Sequence, residues 1–132
     1  MKKTKLPFPV TLFSFGYKYG APQDVNLLFD VRFLDNPFHV AELRSHNGTE
    51  GLIADFVLNN KVGQSCLAQL QDTILYYAKH LQQTSKEELR VGIGCTGGHH
   101  RSVAMTEALA KAISTTLPDI SHFHRDIKKE SH

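Results

Sequence analysis

Two hydrophobic periods alternate along the chain. Residues 9–15, "PVTLFSF", form a β-branched and aromatic run that stops at Gly16, and the turn-rich "GYKYGAP" follows, the pattern of a strand running into a loop. Residues 25–33, "VNLLFDVRF", are nearly continuous in apolar side chains, which predicts a strand covered on both faces. "LRVGIGC" (89–95) and "ISHFH" (120–124) read as two further strands. Between them the period lengthens. "EGLIADFVLNN" predicts a short helix. Over 65–83, Leu67, Leu70, Ile74, Tyr77, Ala78 and Leu81 recur at spacings of three and four and share one face of a longer helix. A third helix, starting at about His100 or Arg101, puts Met105, Ala108, Leu109, Ala112 and Ile113 on one side and is expected to stop at Pro118. Pro37 biases Asn36 away from helix, and "SHNGTEG" adds a second break, so the connection after residue 33 is rich in loops. Strands separated by helices imply right-handed crossovers: an α/β fold, a three-layer sandwich around a largely parallel sheet.

Composition narrows this picture. With 132 residues and 41% hydrophobic content, residues 1–132 suffice for one domain with its own core. Only the ends, 1–8 and 127–132, are expected to be flexible. The 21% of charged residues, nine Gly and five Pro are ordinary globular proportions, which argues against disorder or a fibrous repeat. Two cysteines make no disulfide framework, and Pro7 and Pro9 interrupt an N-terminal apolar stretch too short to span a bilayer. A cytoplasmic chain with no membrane partner is the expectation. The net charge of +2 permits anionic ligands or RNA without requiring them, and eight histidines add to the positive potential when protonated.

The candidate chemistry lies where the third strand hands over to the third helix, in "GCTGGHHRSV". In a parallel sheet, ligands gather beyond the carboxyl ends of the strands. Gly97 and Gly98 allow a tight turn that presents successive N–H groups, and the helix behind them adds its unpaired amides and the positive end of its dipole. With Thr96, His99, His100, Arg101 and Ser102 in the same turn, the segment reads as a phosphate cradle, Arg101 being suited to bidentate contact with an oxyanion. The chain contains no G-x-x-x-x-G-K-[ST] loop, and no cofactor is expected. Cys95 and Arg101 also match the C-x5-R-S spacing of cysteine-dependent phosphatases. In that alternative Cys95 is the nucleophile and Arg101 binds the phosphoryl group. Position 94 is Gly rather than His, and Asp30, Asp35 and Asp126 are equally arbitrary choices of general acid. Cys95 also fits a small buried residue at a strand end.

"GCTGGHHRSV", together with "SFGYKYG", "FDVRFLDNP" and "HRDIKK" in that order, resembles the C-terminal domain of the RapZ (RNase adapter) family from about Leu12 to Lys129. Gram-positive members of that family are described as nucleotide-binding proteins. The resemblance implies a subdomain-like relationship to phosphofructokinase and a site for an amino-sugar phosphate, glucosamine-6-phosphate. In enterobacterial members it also implies binding of small RNA and its presentation to an endoribonuclease. By motif match that site falls on Asp30, Arg32, Thr96, Gly97, Gly98, His100 and Arg101. Family members carry an N-terminal P-loop kinase-like half that the 132 residues lack, so a stand-alone domain or an excised piece is expected. Position 99 is His where enterobacterial members have Lys, and position 38 is Phe where they have His.

The remaining polar residues are ambiguous on sequence. Asp30 and Arg32 share a face by strand alternation and either pair with each other or reach a ligand. Arg44 is a candidate for the rim, as are His124 and Arg125. His122 and His124 point the same way and, with Cys95 and His99 or His100, could be imagined as a zinc set, but no carboxylate or cysteine completes a recognised spacing, so no metal is expected. Lys2, Lys3, Lys5, Arg125, Lys128 and Lys129 are the candidates for RNA phosphate contacts. A homo-oligomer is compatible with the sequence.

Overall fold

Strand β1 (Val10–Gly16) lies at the centre of the chain's organisation in the computed structural model, which describes residues 8–84 and 87–129. β1 pairs in parallel with β3 (Leu89–Cys95) on one side and with β4 (Ile120–His124) on the other, while β2 (Leu27–Asp30) pairs with β3. The four-stranded sheet thus has the order β2-β3-β1-β4 and is parallel throughout. Helices α1 (Gly51–Leu58) and α2 (Lys61–Gln82) connect β2 to β3, and α3 (Arg101–Ile113) connects β3 to β4. This is the expected α/β class, a parallel sheet flanked by helices.

Alternation along the strands separates two packing environments. Val10 and Leu12 of β1 and Leu89, Val91, Ile93 and Cys95 of β3 join Ile53, Val57, Ile74, Met105, Leu109 and Ile113 in one hydrophobic core. The opposite face carries Phe13 and Phe15, with Phe123 stacked on Phe13 at 5.0 Å and Tyr17 edge-on to Phe15 at 4.9 Å. Phe15 of β1, together with Tyr17 and Pro22 of the segment that follows it, lies over Gly92 and Gly94 of β3.

Several elements differ from their sequence reading for local reasons. β2 has four residues and sits at the edge of the sheet, with Leu27 and Phe29 half-buried and Leu28 and Asp30 exposed, rather than forming a long strand covered on both faces. Its hydrophobic continuation, Val31 and Leu34, enters the core from a turn instead. α2 begins at Lys61, four residues before the expected start at 65, because Asn60 caps it: Oδ1 accepts from Gly63 N–H at 2.7 Å. The same side chain donates to the carbonyls of Phe56 and Val57 at the end of α1. Leu70, Ile74 and Ala78 are buried as expected, but Tyr77 is 41% exposed. α3 ends at Ile113, whose carbonyl accepts from Thr116 and Leu117 before Pro118 is reached. Phe8 is buried at the edge of the core, and residues 127–129 are described with Lys129 bound to Asp126. Residues 1–7, with Lys2, Lys3 and Lys5, and 130–132 lie outside the described residues. Among the described residues no helix is long and apolar enough to cross a membrane.

Asp126 ties the end of the chain to the sheet. Its buried carboxylate accepts from Gly16 N–H at 2.7 Å and pairs with Arg125 at 2.9 Å and Lys129 at 2.7 Å. Burial pushes its pKa up, but the bonds from Arg125, Gly16 and Lys129 outweigh it and hold the carboxyl below its ordinary value of 3.8. Removing a buried, paired carboxylate leaves its partners unmatched. Asp126→Ala is therefore expected to cost roughly 3 kcal/mol at neutral pH, measured by urea denaturation. The depressed value sets the sign of the pH dependence: the carboxylate's contribution is complete above 3.8 and is lost as the pH falls through the lower folded value. The stability gap between wild type and variant should narrow across that acid range.

Candidate functional site

β1 and β3 run side by side, with Gly16 opposite Cys95, and their onward connections leave in opposite directions along the sheet. The segment after β1 crosses β3 to reach β2, whereas α3 crosses β1 to reach β4. Such a divergence opens a crevice at the strand ends. The 96–100 loop fills part of it by packing backbone against backbone. A Cβ at Gly16 would lie 2.5 Å from Gly97 C, and one at Gly98, where φ is +78°, would lie 2.7 Å from Gly16 N. Only glycine suits either position.

Hydrogen bonding in the loop is asymmetric. Three of its carbonyls accept from backbone donors: Thr96 O from Lys18 N–H at 3.1 Å, His99 O from Gly48 N–H at 2.8 Å, and His100 O from Ala104 N–H at 2.9 Å. Gly97 O meets His99 Nδ1 at 2.9 Å, and His99 Nε2 meets Lys129 O at 2.6 Å. The imidazole satisfies both carbonyls only when each ring nitrogen carries a proton. Among the described residues, no N–H from Thr96 to Arg101 donates to another protein group. A run of unused amides at a helix N-terminus, turned by one left-handed glycine, is the kind of arrangement whose partial positive charge suits an anion.

Beside this loop is a cavity of about 190 Å³ lined by Asn36, Phe38, Cys95, Thr96, Gly97, His99, His100 and Arg101. Arg101 is only 6% exposed. Its Nη1 donates to the carbonyls of Arg32 and Leu34, its Nη2 to Thr96 Oγ1 at 3.4 Å, and its Nε is buried without a partner. Arg101 therefore holds the 32–34 turn against the loop and keeps one donor in reserve. Ser102, fully buried, faces Cys95: its N–H reaches Sγ at 3.3 Å, and the thiol donates to its Oγ at 3.1 Å. Burial pushes His100 below its ordinary range, against a pull upward from the Arg44 carbonyl that meets Nε2 at 3.2 Å.

Other sequence candidates take different places. Asp30 and Arg32 pair with each other through two bonds, 3.0 and 2.7 Å, and Arg32 lies over the Tyr17 ring. The Arg32 hydrogen bond, with a smaller contribution from Arg101, holds Asp30 below the usual carboxylate range although some burial opposes it. Neither residue lines the cavity, but the Arg32 carbonyl receives Arg101, so the pair backs the site. Arg44 donates to Phe38 O at 2.7 Å and covers the Phe38 ring, which places it behind the cavity wall. His124 and Arg125 do not line the cavity. His124 binds Ser14 and Glu107, and Arg125 binds Asp126 and Gly20 O. Sequence reading missed Asn36 and Phe38 as wall residues and Gly16 and Gly48 as supports. The available signals were the "DNP" turn, read only as a strand stop, and the departure from the family at Phe38.

Comparison with known proteins agrees with these motifs. The RapZ C-terminal domain family model matches residues 8–128. The chain is similar to proteins named nucleotide-binding protein in Lachnoclostridium phytofermentans (43% identity over 122 residues, 92% of this chain and 43% of that protein) and Corynebacterium glutamicum (45% over 122 residues, 91% and 39%). A relative of the same name in Caldicellulosiruptor bescii is 42% identical over 129 residues, 98% of this chain and 44% of that protein. The chain thus spans about two fifths of the length of these relatives. With the family model covering nearly all of it, and with the glycine loop built as described, the chain belongs to the RapZ C-terminal domain family.

Proposed function

We propose that this domain is a sensor for a phosphorylated amino sugar, glucosamine-6-phosphate or a close chemical relative, held by its phosphate on the 96–101 loop. The observation that carries the reading is the asymmetry of that loop: the carbonyls of Thr96, Gly97, His99 and His100 engaged, the amides unengaged, at the start of a helix of 13 residues. Arg101 Nε, buried and unpartnered, is a further donor of the kind an oxyanion satisfies. The cavity, about 190 Å³, is smaller than the roughly 300–1,000 Å³ of drug-sized ligand sites, which favours a single sugar phosphate over a nucleotide. The relatives' name describes proteins more than twice as long, and this chain has no Walker loop.

Among the described residues, the cavity walls hold no Asp or Glu to protonate a leaving group, and Cys95 is 3% exposed with its sulfur bound to Ser102. Binding without turnover is the reading these features support. With p-nitrophenyl phosphate, wild type should release no more nitrophenolate than Cys95→Ser; a clear excess would replace the sensor with a phosphatase.

Calorimetry tests the ligand directly. Glucosamine-6-phosphate should bind at one site per chain, and glucosamine, lacking the dianion, should not. Arg101→Lys keeps the charge but loses the planar fork, and should weaken binding by at least about 1 kcal/mol, roughly fivefold. An unchanged constant in a folded Arg101→Lys chain would refute the reading.

A further inference from the structure

On the far side of α3 from its N-terminal turn, β4 and α3 bring together three side chains that neither the glycine loop nor the core uses. His122 Nε2 lies 3.1 Å and His124 Nε2 2.7 Å from the same oxygen, Oε2 of Glu107. The three potential ligand atoms all fall within 4.8 Å of one another. We propose that Glu107, His122 and His124 form a binding site for a divalent transition-metal ion of the zinc type, with a coordination position open to solvent.

The donor set and the backbone both support it. Two imidazoles and one carboxylate are the combination that zinc accepts when it keeps an open position, and ions that prefer oxygen alone do not favour it. Residues two apart on a strand present their side chains to one face, so the parallel pairing of β4 with β1 aims both histidines toward α3. Around a tetrahedral ion with bonds of about 2.1 Å, neighbouring ligand atoms sit roughly 3.4 Å apart. The two His–Glu contacts, at 3.1 and 2.7 Å, therefore need to open only slightly, and the histidine nitrogens already lie within 4.8 Å of each other. Sequence spacing hid the site because its carboxylate lies 15 residues before the first histidine, on another element.

Support behind the ligands distinguishes this cluster from a chance surface ion pair. The fully buried Ser14 of β1 sits 2.7 Å from His124 Nδ1 and fixes that ring with Nε2 toward Glu107, the outer contact that metal-bound histidines usually have. Exposure is graded. The His124 side chain is 10% exposed, His122 35% and Glu107 40%, so one ligand is anchored and two flank an opening to water. Cys95, His99 and His100 take no part. They belong to the loop.

The test is zinc chloride titrated into the tag-free 132-residue chain, read by calorimetry and by metal content after equilibrium dialysis. Wild type should take up one zinc per chain and melt at a higher temperature with it. Glu107→Gln and His122→Ala, both at partly exposed positions, should fold as wild type by circular dichroism and lose affinity at least tenfold, about the smallest effect seen when the surroundings of a metal are altered. Cobalt should give visible absorption bands in wild type that both variants lack. Absence of saturable uptake by wild type overturns the assignment. So does zinc held with unchanged affinity in both folded variants, which places the ion elsewhere on the chain. Glucosamine-6-phosphate binding by Glu107→Gln should equal that of wild type, which separates this site from the loop.

Discussion

The contact on which the rest of the site depends is backbone against backbone, Gly16 beneath Gly97 and Gly98. Neither Gly16 nor Gly98 has room for a Cβ, and Gly98 also adopts a left-handed conformation costly to other residues. Because the loop lies directly on the end of β1, its carbonyls meet donors in neighbouring segments, Lys18 on one side and Gly48 on the other. The N–H groups are left over. Close packing of glycine thus produces the electrostatic character of the loop, before any charged side chain is considered.

Arg101 has a structural part beyond the one its motif suggests. Rather than reaching outward, its guanidinium lies buried and donates to the carbonyls of Arg32 and Leu34. It couples the 32–34 turn to the glycine loop, and through Arg32 to Asp30. The charge still acts on the cavity, since burial in a low-dielectric wall screens it little. Residues 36 and 38 follow that turn and form the opposite wall. Loss of the fork would therefore affect the shape of the cavity as well as its charge.

α3 serves three environments at once. Its first turn closes the cavity, its apolar side places Met105, Leu109 and Ile113 in the core, and Glu107 faces the histidines of β4. The fully buried Ser14 and Asp126 hold the adjoining strand ends, one through His124 and the other through Gly16 and the two cations beside it. Few of these polar bonds are local in sequence. The contacts that shape the site link residues near 16, 34, 48, 96 and 126.

The amino-acid order alone determined the α/β class, the strands at 89–95 and 120–124, the apolar faces of the helices and the glycine loop, because periodicity and turn chemistry are local properties that survive without knowledge of neighbours. It also carried the family motifs. Tertiary structure decided what no window of sequence contains. β2 became a short edge strand because β3, not β2, lies beside β1. Asn60 started α2 before its apolar stripe. Arg101 turned inward because carbonyls of the 32–34 turn come to meet it, Asn36 and Phe38 became cavity walls, and Glu107 reached two histidines on another strand. Each of these depends on the crossover directions of a parallel sheet, which bring distant segments to the same strand ends and leave no trace in residue spacing.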